Sequence, residues 1–152
     1  MKKTLVFALT AILLTACSSA LWSAEKGTAP EAEALVKKAV AFMKANGRDK
    51  ALAEFSNPAG QFVKGDLYVF AYDMSGKCVA HGANTKMVGK DLIEMKDPDG
   101  KAYVQERVEI AKTKGKGWQD YKFTNPVSKK LEQKTAYIEK VDDVIIGCGA
   151  YK

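Results

Sequence analysis

The chain has 152 residues and a mass of 16.6 kDa, a length that supports one domain able to bury roughly two-thirds of its unfolded surface without a staple. Hydrophobic residues at 47%, charged residues at 28% and only four prolines exclude a collagenous, disordered or multi-span membrane chain. The formal charge of +6 includes Lys2 and Lys3, and the remaining excess is spread among acidic residues with no basic run longer than two, which argues against nucleic acid as a partner.

Met1-Lys2-Lys3 followed by the apolar stretch Thr4 to Leu14 reads as an export leader, too short for a permanent membrane helix. It ends in Leu14-Thr15-Ala16-Cys17, which resembles the bacterial lipobox, with residues 1–16 removed and Cys17 becoming the lipid attachment site. An ordinary signal peptide cut after Ala20 or Ala24, with Cys17 discarded, is the alternative. Ser18 and Ser19, in place of an Asp, point to an outer-membrane-anchored lipoprotein in the periplasm, and residues 17–30 suit a tether. Two cysteines remain, Cys78 and Cys148, in a compartment where a disulfide persists; either such a bond or two buried thiols fits their apolar surroundings. No CxxC pair occurs, and in a strand Cys78 and His81 point to opposite faces, so no metal is expected.

Leu35, Val36, Ala39, Phe42 and Met43 fall at helical spacing and predict a helix over Glu31 to Ala45, stopped by Asn46-Gly47. Arg48 to Phe55 forms a shorter one before the breakers Asn57, Pro58 and Gly60. The aromatic and β-branched run Asp66 to Asp73, a turn at Met74 to Lys77 and a return strand at Cys78 to His81 make a hairpin. Gly82 to Lys96 reads as loop. Asp97-Pro98-Asp99-Gly100 echoes a calcium loop but lacks its remaining ligands, so a turn into a helix over Lys101 to Lys114 is the reading. Strands follow at Gly117 to Phe123, Lys134 to Val141 and Val144 to Tyr151, the last two turning at Asp142-Asp143.

The result is an α+β layout, with helices first and then a five-stranded antiparallel sheet carrying a helical insertion after its second strand. The run Asp66 to Asp73 is apolar on both faces, which predicts a position near the sheet centre, with Val144 to Tyr151 beside it. Residues Gly65 to Phe70, Ala80-His81-Gly82-Ala83-Asn84, Val88-Gly89-Lys90-Asp91-Leu92, Gly117-Trp118-Gln119-Asp120-Tyr121, Tyr137 to Val141 and Ile146-Gly147-Cys148-Gly149, in that order, resemble the single Cache family of the second type. These are PAS-like extracytoplasmic small-molecule sensor domains of chemoreceptors and histidine kinases, and the resemblance spans residues 31–152. With no second transmembrane helix and no kinase or methyl-accepting region before Lys152, the expectation is a free-standing Cache protein.

The resemblance implies a pocket for a short-chain carboxylate of the acetate, propionate, pyruvate or lactate class. A buried carboxylate needs a cation and neutral donors. His81, the single histidine, supplies a ring N–H, and Lys134, in a Lys-x-x-Tyr pattern that recurs in the family, supplies an ammonium. Tyr72, Trp118 and Tyr121 supply walls and hydroxyls, although Trp118 and Tyr121, three apart, share a strand face only across a bulge. Arg107 reads as a surface residue paired with Glu106 or Glu109. No nucleophile elbow, nucleotide-binding glycine loop or His-Glu-x-x-His stretch is present, so neither catalysis nor a cofactor is expected. The competing reading is a ligand-free module that docks on an envelope or receptor protein. The sequence leaves open whether a second copy of the chain is also a partner.

Overall fold

The structure, a computed structural model, describes residues 25–152; the expected leader, the lipobox with Cys17 and the first part of the tether lie outside the described residues. Helix α1 (Ala29–Asn46) starts on a capping box, in which Thr28 Oγ1 accepts the Glu31 N–H and the Glu31 carboxylate accepts the Thr28 N–H. It stops at Gly47, whose φ of 85° lets the chain turn into α2 (Arg48–Phe55). Ala32, Val36, Ala39, Val40 and Met43 form its buried stripe.

The run expected as one strand from Asp66 divides. Leu67–Tyr68 (β2) pairs with Val63–Lys64 (β1) in a small separate hairpin, and Phe70–Asp73 (β3) enters the main sheet. Asp73 Oδ1 closes the following turn by accepting from the Ser75 and Lys77 N–H groups. Strand β4 (Cys78–His81) then pairs back on β3, with a bulge that leaves Val79 without a partner residue. A single 3-10 turn, Thr85–Met87, interrupts the loop expected over Gly82 to Lys96. Asp97 makes the expected turn, accepting from the Asp99 and Lys101 N–H groups, and its other oxygen accepts the Lys122 N–H.

Helix α3 (Tyr103–Thr113) leads through Gly115, at φ 74°, into β5 (Lys116–Thr124), β6 (Leu131–Val141) and β7 (Val144–Tyr151). The sheet order is β4-β3-β7-β6-β5, all antiparallel, so β7 holds the centre and β3 lies beside it, near the centre as expected. The physical reason is that β7 is buried along its whole length, more completely than β3, whose last residue reaches solvent.

One sheet face carries Val69, Ala71, Tyr137, Val141, Ile146 and Cys148 beneath α1. The other carries Tyr68, Phe70, Tyr72, Tyr121, Ile138, Ile145 and Tyr151, covered in part by α3. Cys78 belongs to the α3 face and Cys148 to the α1 face; both are free thiols, and burial pushes them up to about 11 and about 12. Two glycines on β7 shape the α3 face. A Cβ at Gly147 would lie 2.3 Å from the Phe70 ring, and one at Gly149 would lie 2.6 Å from Lys134 Cε. Their bare backbone forms a trough in which these two long side chains cross the sheet.

Candidate functional site

The register sets Tyr121, Lys134 and Tyr151 side by side across β5, β6 and β7, and alternation turns all three to the α3 face. Lys134 is 0% exposed. Its Nζ donates to Tyr68 Oη at 2.8 Å and Tyr151 Oη at 3.4 Å, and it lies 4.1 Å from the Tyr68 ring centre and 4.7 Å from that of Tyr151, with Phe123 and Phe70 beyond. Tyr151 in turn donates to the Thr124 carbonyl. Among the seven ion pairs of the described residues none includes Lys134. Burial, reinforced by the positive charge of Arg107 and only partly offset by the buried carboxylate of Asp66, holds its ammonium down at about 7.

His81 stands at the end of β4, opposite Phe70, with its ring 4.9 Å from that of Tyr68. Its Nδ1 accepts the Asn84 N–H at 2.9 Å and the Ala83 N–H at 3.3 Å, which leaves the ring proton on Nε2. Burial, together with the charges of Lys134 and Arg107, pushes its pKa down to about 3, so it is a neutral donor rather than a second switch.

Arg107 overturns its sequence reading. It is 1% exposed and faces the sheet, because it sits on the same stripe of α3 as Tyr103, Val104, Val108 and Ala111. Its guanidinium lies over the Phe70 ring at 4.3 Å and the Tyr72 ring at 4.6 Å, with Tyr103 and Tyr121 at 5.5 Å. Tyr103 and Tyr121 stack on each other at 4.7 Å. Nε donates to Gln119 Oε1 at 2.8 Å, and Gln119 is fixed by the Tyr103 carbonyl and Glu106, so Glu106 reaches Arg107 only through an amide. Arg107 Nη2 and Tyr103 Oη are buried with no hydrogen-bond partner among the described residues.

Of the five side chains expected to line a pocket, four therefore gather on one face: His81 beside Lys134, and Tyr72 and Tyr121 around Arg107, with the Phe70 ring between the two cations. Trp118 does not join them. The spacing of three places it on the opposite face, 42% exposed, against Tyr137 at 5.2 Å. Tyr68, Tyr103, Arg107, Gln119 and Tyr151 were not picked out from the sequence; for Arg107 the signal was its position in the apolar stripe of α3, which a charged residue was not expected to share.

An open cleft of about 580 Å³ is lined in part by Tyr68, His81 and Phe123, side chains that also pack around Lys134; Lys134, Tyr72 and Tyr121 are themselves buried and are not among its lining residues. Among the described residues no cluster of His, Cys, Asp and Glu could hold a metal. The arrangement offers cations and neutral donors to an anion.

The family model for single Cache domain 2 matches residues 11–152. The chain is 35% identical over 88 residues to the methyl-accepting chemotaxis protein McpP of Pseudomonas putida, a stretch of 57% of this chain and 16% of that protein. Over the same length it is 28% identical to the sensor histidine kinase MctS of Rhizobium johnstonii, of which it covers 19%. A methyl-accepting chemotaxis protein of Vibrio parahaemolyticus superposes with a TM-score of 0.70 at 23% identity, over 80% of this chain and 86% of that one. A Cache chemosensory domain solved for its carboxylic acid recognition superposes with a TM-score of 0.63 at 26% identity, over 80% and 86%. The chain belongs to the single Cache domain 2 family, and is thus a sensor-type, extracytoplasmic ligand-binding domain. Among the described residues no helix is long and apolar enough to cross a membrane.

The buried ammonium makes stability depend on pH in a defined direction. The Lys134 pKa drops from 10.5 to about 7 on folding, so between these values the unfolded chain holds the extra proton and stability rises with pH. The full penalty, about 5 kcal/mol, is present below pH 7. Lys134→Met should therefore be more stable than the wild type at pH 6, by about 1–4 kcal/mol, and this advantage should shrink toward pH 10. Urea midpoints across that range check it; an advantage that is absent or independent of pH contradicts it.

Proposed function

We propose that this Cache domain binds a small organic carboxylate reversibly, with no chemical step following. The observation that carries the reading is the pair of buried cations, Lys134 and Arg107, on one sheet face with no carboxylate partner among the described residues. Taking a cation out of water costs several kcal/mol unless an anion compensates it, and here the direct contacts are phenol, amide and ring faces, with the Asp66 carboxylate acting on Lys134 only from beyond ion-pair distance. A ligand carboxylate completes the set, with Lys134 as the charge-assisted donor, His81 Nε2–H as a neutral donor and Tyr72, Tyr121 and Phe70 as walls. The carboxylic acid recognition of one structural neighbour supports the same class. Acetate, propionate, pyruvate and lactate are the first probes, and acids with so few atoms bind in the micromolar to millimolar range. A ligand-free docking module has no use for two interior cations without a carboxylate in direct contact.

The sequence supports a lipid anchor at Cys17, which would hold the domain at the periplasmic face of the outer membrane as a lipoprotein. Cys17→Ser should move the protein from the membrane to the soluble fraction or block its maturation; unchanged fractionation together with an unchanged mature mass contradicts the anchor.

Ligand affinity should follow the charge of Lys134. These acids are ionised throughout pH 6–8, Arg107 stays charged and His81 stays neutral, so only the ammonium titrates. With its pKa at about 7, binding of propionate should be full strength at pH 6 and about tenfold weaker at pH 8. Lys134→Met should cost roughly 2–4 kcal/mol of binding at pH 6. Calorimetric titration checks both. Binding that survives Lys134→Met at full strength removes Lys134 from the site, and no binding of any acid by the wild type moves the function to docking.

A further inference from the structure

We infer that the preferred ligand is an acid with an extended apolar tail, its carboxylate at the Lys134 end and its tail in the cleft beside it. The inference rests on the carboxylate reading and narrows its ligand class. The cleft, about 580 Å³, is of the size that encloses drug-sized molecules, whereas a two- or three-carbon acid would fill only a small part of it. Head site and cleft share walls, because Tyr68, His81 and Phe123 line the cleft and also pack around the buried Lys134.

The rest of the lining differs in character. Met87, Leu92 and Met95, from the long segment after β4, line the same cleft as Pro126, and two of these are unbranched thioethers that adapt to irregular apolar shapes. Met95 is 39% exposed, so its side chain offers apolar surface for a tail to cover. The charged lining residues are Lys90 and Lys129, both cations, and no acidic side chain lines the cleft. A cationic tail is disfavoured, and an anionic ligand is attracted along its whole approach.

Calorimetric titration of the full chain at pH 6 with propionate, butanoate, hexanoate and octanoate tests this, with hexan-1-ol as a tail lacking the carboxylate. Affinity should rise roughly fourfold for each fully buried methylene, or about twofold where it is half covered, and hexan-1-ol should bind at least tenfold more weakly than hexanoate. Met95→Asp, at a partly exposed position, should flatten the series to less than a twofold difference between propionate and hexanoate. Propionate binding with no gain on lengthening, or a gain that Met95→Asp leaves intact, overturns the inference and leaves the carboxylate reading standing. Hexan-1-ol binding as tightly as hexanoate also overturns it. No binding by any acid defeats the carboxylate reading itself, and this inference with it.

Discussion

The ammonium of Lys134 is removed from water and held by two phenol oxygens and the faces of aromatic rings, with no carboxylate opposite it, and much of the sheet's α3 face is organised around that constraint. Tyr151 must end the central strand so that its hydroxyl reaches both Lys134 and the Thr124 carbonyl. Gly149 must lack a side chain because the lysine stem lies over its Cα. Gly147 repeats this for Phe70, whose ring then stands between the two buried cations. A β7 filled with larger residues would pack a better ordinary core. It would also remove the space in which Lys134 lies.

Burial depresses the lysine and keeps His81 neutral, and the positive charges of the two buried cations add to these shifts. Their separate solutions differ in kind. The guanidinium of Arg107 spreads its charge over a plane that aromatic faces can stabilise, and it keeps one buried nitrogen unsatisfied. The lysine, a compact charge, meets burial by surrendering its proton near neutrality. The domain thus holds one permanent and one conditional cation.

The outline of this fold was legible because the hydrophobic period changes where the architecture changes: 3.6 along Leu35 to Met43, then paired strands that turn at Asp73 to Lys77 and Asp142-Asp143. The short β1–β2 hairpin was not legible, since two-residue strands carry no alternation to read. Lys134 and His81 stood out by residue type. Arg107 did not, because an arginine beside glutamates on a helix usually belongs to a solvated face, and only its spacing from Val104 and Ala111 marked it as inward. Trp118 lies apart for the opposite reason: its chemistry suited a pocket, but alternation from Tyr121 put it across the sheet. Tyr68 and Tyr151 could not be paired with Lys134 without the register, which only the folded sheet supplies.

Counting the protons that accompany binding tests the uncompensated ammonium most directly. Titration of the wild type with propionate at pH 8, in two buffers of different ionisation enthalpy, gives that number without reference to affinity. With Lys134 mostly neutral in the free protein and charged in the complex, about 0.9 proton should be taken up per ligand bound. Binding with no proton uptake would mean that Lys134 is already fully charged in the empty domain, or stays uninvolved, and would contradict the account.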